Sequence, residues 1–166
     1  MRIGLLVSIS ALLSLPSLLN AQAPKGLVGT WELVTRVDRD STGRIVPEPS
    51  LGTSPTGYLI YDANGHVAAQ LLASGRRVGD CAVTAPAEGN NPAHLNGYDA
   101  YFGRYEVDAA AGLVRHHLDG ALPQGDVGRT IERHFRLAGD TLTITFRPGG
   151  PKGRAIVRTL VWHRVG

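Results

Sequence analysis

Two residues set among apolar neighbours, His116 and Arg133, are the strongest candidates for chemistry in this chain. Each sits in a run that alternates between apolar and polar side chains, the pattern of a strand with one buried face. Val114, His116 and Leu118 fall on one face, which turns His116 inward and His117 outward. Ile131, Arg133, Phe135 and Leu137 share a face in the same way. An imidazole titrates near neutrality and moves protons, and a guanidinium binds carboxylates or developing negative charge. On a third run Tyr101, Gly103, Tyr105 and Val107 share a face, so Tyr101 or Tyr105 could pair with His116 as acid and base. A core histidine satisfied by a tyrosine hydroxyl is the competing reading. On a fourth run His66 and Gln70 share a face and would add polar contacts, although Val67, Ala69 and Leu71 form its more apolar side.

Other chemistries lack their residues. His116 and His117 point to opposite faces and cannot chelate together, and no spacing of His, Cys or carboxylates suggests a zinc site, so neither metal nor cofactor is expected. A Gly-x-Ser-x-Gly nucleophile turn is absent from the sequence. Gly149-Gly150-Pro151-Lys152-Gly153 superficially resembles a phosphate loop but lacks the closing Ser or Thr, and it is expected to be a hairpin turn. Cys81 is the single cysteine, so no disulfide can form within the chain, and Gly79-Asp80-Cys81 is expected in an accessible loop.

The elements that must position these side chains begin after a leader-like segment. Arg2, the apolar stretch from Leu5 to Leu19 and the Ala21-Gln22-Ala23 cleavage signal form a secretory pattern over residues 1–23. The chain is therefore expected to be exported, to the periplasm or outside the cell, with the mature domain over residues 24–166. The apolar stretch is shorter than the roughly 20 residues of a spanning helix, and no membrane span is expected in the mature chain. The remainder suits one domain. With 17 Lys and Arg against 14 Asp and Glu, scattered rather than clustered, nucleic acid is not an expected partner, nor is an anionic membrane surface.

Along that domain the sequence reads as short strands between turns. Strands are expected over 27–37, 57–61, 66–72, 101–107, 113–119, 129–137, 141–146 and 154–165. On the first, Trp31, Leu33, Thr35 and Val37 are expected to share a face. Asp62-Ala63-Asn64-Gly65 joins the second and third, its Asn-Gly suited to a tight hairpin. Asn91-Pro92 reads as a helix cap, and Leu95, Tyr98 and Phe102 follow at helical spacing, which predicts a short helix near the mouth. The fold class is all-β: eight strands joined in sequence favour an up-and-down antiparallel barrel, whose closure removes exposed edges, with a two-sheet sandwich as the alternative.

Several segments in order, Leu27-Val28-Gly29-Thr30-Trp31-Glu32-Leu33-Val34, Gly57-Tyr58-Leu59-Ile60-Tyr61 with Asn64-Gly65-His66, and Tyr101-Phe102-Gly103-Arg104-Tyr105-Glu106-Val107-Asp108, resemble the lipocalin-like domain family of bacteria and fungi. Val114-Arg115-His116-His117 and Arg133-His134-Phe135-Arg136-Leu137 before Gly139-Asp140-Thr141-Leu142 continue the resemblance over nearly the whole mature chain. It implies a calycin-type barrel with an internal cavity for apolar or amphiphilic small molecules, and no single activity. Leu122-Pro123-Gln124-Gly125-Asp126-Val127-Gly128 departs from the family, replacing a shorter segment. The resemblance also implies an arginine stacked on Trp31 at the closed end. Arg133, Arg158 and Arg164 all qualify, and if a last-strand arginine takes that place, Arg133 becomes available to a ligand carboxylate.

The expected function is therefore an exported protein that binds a small hydrophobic or weakly anionic molecule, with Trp31, Gln70, Tyr101, Tyr105, His116 and Arg133 as ligand-binding candidates. Leu33, Leu59, Val107, Leu118, Phe135, Ile144 and Leu160 would supply apolar walls. Two alternatives stand beside it: a small-metabolite isomerase, cyclase or hydratase with His116 as the catalytic candidate, and an envelope interaction module whose barrel is filled. Ala68, Ala69 and Gly103 favour internal space.

Overall fold

The computed structural model describes residues 26–48, 50–75, 97–148 and 155–166. The leader, the Cys81 segment and the Gly149–Gly153 turn lie outside these residues. Eight strands pair in sequence order and the last pairs with the first: β1 (Gly29–Asp40), β2 (Thr56–Tyr61), β3 (His66–Leu72), β4 (Tyr98–Asp108), β5 (Leu113–Ala121), β6 (Thr130–Ala138), β7 (Thr141–Phe146) and β8 (Ile156–Val165). Every neighbouring pair is antiparallel and the sheet closes into a barrel. The sandwich alternative is thereby excluded.

The β2–β3 hairpin forms where Asn-Gly placed it. Gly65 takes φ 89°, and the Asp62 carboxylate accepts from the backbone N–H groups of Asn64 and His66 at 2.8 Å each. The turns after β2, β4 and β6 are short, and they cluster at one end of the barrel with the start of β1. At that end Trp31 is fully buried and donates from Nε1 to the Leu27 carbonyl at 3.0 Å. The Arg164 guanidinium lies 4.1 Å over the indole and donates to the carbonyls of Val28 and Gly26. Gly29, at φ 147°, lets the guanidinium pass, since a Cβ there would meet Arg164 Nη1. The Gly-x-Trp opening of the first strand is thus part of the plug.

Two expectations are corrected. Tyr98 and Phe102 are not helical: they open β4, where Tyr98 pairs with Leu72 and Phe102 with Ala68. A spacing of four residues fits one face of a strand as well as one face of a helix, and pairing with β3 decides between them. The expected cap and Leu95 lie outside the described residues. The helical turn that is described is a 3-10 turn, Gln124–Asp126, in the loop between β5 and β6. The second correction concerns β1, where Leu33 pairs with Trp162 and Thr35 with Val161, leaving Val34 as an extra, bulged residue. Beyond it the inward face changes phase, so Thr35 is exposed while Asp38 is buried and the Arg36 side chain is 3% exposed.

Candidate functional site

The barrel encloses a cavity of about 580 Å³ that opens toward the loops opposite the Trp31 plug. Leu59, Ala69, Leu118, Ile144, Leu160 and Trp162 give it apolar walls, while Tyr101, His116, Arg133, Arg158 and Arg36 give it polar ones. Of the expected apolar wall, Leu33, Val107 and Phe135 belong to the core around the cavity rather than to its lining. Among the expected small residues, Ala69 makes room.

His116 is held on β5, fully buried, between two tyrosine hydroxyls. Tyr101 Oη lies 2.9 Å from Nδ1 and Tyr61 Oη 2.8 Å from Nε2. Burial first, and then the Arg133 cation and His117, push the imidazole down to about 3. The histidine is therefore neutral, with one nitrogen donating and one accepting. Burial likewise lifts the Tyr101 phenol to about 12, against the pull of Arg133, and raises Tyr61 well above the ordinary phenol range.

A neutral, buried His116 has a consequence for stability. The unfolded histidine takes up a proton near pH 6.5, while the folded one resists protonation down to about pH 3, so the unfolded state binds more protons between these values. Stability is full above 6.5 and falls as the pH drops through the window, by up to about 1.4 kcal/mol per pH unit from this group. Urea unfolding at steps between pH 6.5 and 5 should show this slope, and it should flatten in His116→Gln. An unchanged slope in the variant would mean that the imidazole is not kept neutral by the fold.

Arg133 projects from β6 into the same cavity. Its guanidinium carbon lies 3.6 Å from the Phe146 ring centroid, and Nη1 donates to the Glu132 carbonyl at 3.0 Å. Among the described residues it makes no ion pair, although the Asp99 carboxylate, on the cavity wall, lies within electrostatic reach. Of the four other arginines on the wall, Arg36, Arg129 and Arg158 are paired with carboxylates, Arg129 with Asp126, while Arg147, just after β7, makes no ion pair among the described residues. Arg158 forms a bidentate pair with Asp38, both contacts 2.7 Å, with side chains 3% and 0% exposed. Arg36 pairs with Glu48 at 2.7 Å.

The sequence-expected residues thus separate into two groups. Tyr101, His116 and Arg133 come together on the cavity wall. Trp31 does not: it is the plug beneath, covered by Arg164, so the arginine expected there comes from the last strand and Arg133 is left to the cavity. Tyr105 donates to the Asp62 carbonyl at 2.8 Å and stacks edge-on against Tyr61 at 4.8 Å, below the cavity and without a bond to His116. Gln70 faces outward and accepts from Tyr98 Oη at 3.0 Å; the apolar side of β3 wins the interior, as Val67, Ala69 and Leu71 show. Tyr61, Arg36, Asp38 and Phe146 were not singled out by sequence. The in-phase pair Leu59 and Tyr61 was the available signal for Tyr61.

A hollow antiparallel barrel, plugged at one end by an arginine-capped tryptophan, is the calyx architecture of small β-barrel proteins. The chain belongs to the lipocalin-like domain family, whose model matches residues 28–165. Among solved structures it is similar to the lipoprotein YedD of Klebsiella pneumoniae, at 11% identity over 90% of this chain and 80% of that one, with a TM-score of 0.41. No curated protein matches the chain.

Proposed function

We propose that this is an exported carrier whose calyx takes a small amphiphile, apolar in its body and anionic at its head. The observation that carries this reading is Arg133: a cation inside the barrel, beside Tyr101 and His116, with no carboxylate paired to it among the described residues. Burying a charge is unfavourable unless it is matched, and a bound carboxylate would match it with charge-assisted hydrogen bonds. Leu59, Ile144 and Leu160 would hold the apolar body. A cavity of about 580 Å³ lies within the usual range for small-molecule sites and speaks against the filled-barrel alternative. The enzymatic alternative finds less support, because an imidazole depressed to about 3 is a weak base at neutral pH. Export rests on the leader pattern of residues 1–23.

Native mass spectrometry of protein purified from its own host tests both parts. The expected mass starts near residue 24 and carries a stoichiometric acidic small molecule. In titrations of the stripped protein, a medium-chain carboxylic acid should bind at least tenfold tighter than its methyl ester. A chain that retains residues 1–23 would overturn export, and equal affinity for acid and ester would overturn the anionic head.

A further inference from the structure

The polar wall has a direction of hydrogen bonding that the contacts determine. Tyr61 is 1% exposed, and among the described residues its hydroxyl has a single hydrogen-bond partner, His116 Nε2. Two arrangements are open to the chain Tyr61–His116–Tyr101. In the first, Tyr61 donates to Nε2, Nδ1–H donates to Tyr101 Oη, and the Tyr101 proton points into the cavity that Tyr101 lines. In the second, every donor is reversed and the Tyr61 proton is left buried with no acceptor among the described residues. Orphaning a buried donor is penalised by the full desolvation of that group, whereas Tyr101 can be satisfied from the cavity. The first arrangement is therefore the stable one.

We infer that Tyr61, acting through His116, fixes Tyr101 as a hydrogen-bond donor into the cavity, so that the site selects a head group that only accepts, a carboxylate or carbonyl oxygen, over an alcohol. This rests on the cavity being the binding site and adds how its ligand is chosen. Arg133 beside Tyr101 is likewise donor-only. Arg36 Nη2 and Trp162 Nε1, both on cavity-lining residues, are buried donors without a partner among the described residues. The wall's carboxylates face cations: Asp126 pairs with Arg129, Glu132 with Arg115, and Asp99 lies within electrostatic reach of Arg133. An alcohol would bring a proton of its own to groups that already supply theirs, while a carboxylate brings lone pairs alone. Tyr61 is a positioning residue, out of reach of the ligand itself.

The test reads the tautomer and the selectivity separately. In full-chain protein with 15N-labelled histidine, long-range 1H–15N correlation should show the His116 proton on Nδ1. Tyr61→Phe keeps the ring against Tyr105 but removes the donor to Nε2, so Nε2–H should appear in the spectrum. The preference of the cavity for decanoic acid over decanol should fall about tenfold in the same variant, with Arg133 still present. A wild-type proton on Nε2 would overturn the inference, as would an unchanged acid-to-alcohol ratio in a folded Tyr61→Phe. If wild-type protein binds neither probe, the cavity reading and the selectivity fall together, whereas an Nδ1–H signal with tight decanol binding overturns the selectivity alone.

Discussion

Asp38→Ala should destabilise the protein by about 3–5 kcal/mol, among the largest effects of any single side-chain truncation in this barrel. Asp38 and Arg158 face each other in the register of β1 against β8, the seam that closes the sheet. Both side chains are almost fully buried and joined by two hydrogen bonds of 2.7 Å. Removing the carboxylate leaves a buried guanidinium close to two others, because Arg158 lies within electrostatic reach of both Arg36 and Arg133. Repulsion is then added to desolvation. For a domain of this size the loss corresponds to a fall in Tm of roughly 10 °C. Replacing both partners, Asp38→Leu with Arg158→Met, should recover most of the loss, since a well-packed apolar pair can match a buried ion pair. Urea unfolding of the two variants side by side checks this, and a loss below about 1 kcal/mol in the single variant would show that the pair does not hold the seam.

The same seam explains how much of the molecule the sequence could display. At its other end Trp31 pairs in register with Arg164, and the guanidinium covers the indole. That an arginine covers Trp31 was legible, because Gly29-x-Trp31 opens the first alternating run, but which arginine was not, since Arg133, Arg158 and Arg164 all lie in phase with inward apolar residues. The Asp38–Arg158 contact was not legible. One extra residue, Val34, shifts the phase of β1 and carries Arg36 and Asp38 from the apparent outer face to the inner one. Alternation records the period of a strand and is blind to a bulge until the partner strand is known. Strand bounds and the Asn64-Gly65 hairpin are local properties, and they emerged nearly in place. Placing Tyr61 against His116 required two strands 55 positions apart to face each other across the barrel. Such a pairing is set by closure, and spacing along the chain carries no trace of it.

Arg133→Met should move stability and binding in opposite directions. The Arg133 guanidinium is desolvated at the wall and compensated by the Phe146 ring, the Glu132 carbonyl, the Tyr101 hydroxyl and, at longer range, Asp99. A cation–π contact contributes about 1–2 kcal/mol when desolvated, less than a buried charge loses on leaving water. Methionine preserves an unbranched shape, packs its sulfur against Phe146 and buries no charge, so stability should rise by about 1 kcal/mol. Affinity for a carboxylic acid should fall about 10- to 100-fold, the loss expected when charge-assisted hydrogen bonds are removed, while affinity for the methyl ester stays within about threefold. Because the Arg133 cation is one cause of the depressed His116 pKa, the imidazole should also become easier to protonate. Thermal unfolding, titration with the acid and ester pair, and NMR of His116 against pH read the three effects independently. A variant that loses both stability and ligand would instead make Arg133 a structural member of the wall. A gain in stability coupled to a loss of acid binding would identify it as a charge that the fold holds at its own expense, matched when a ligand arrives.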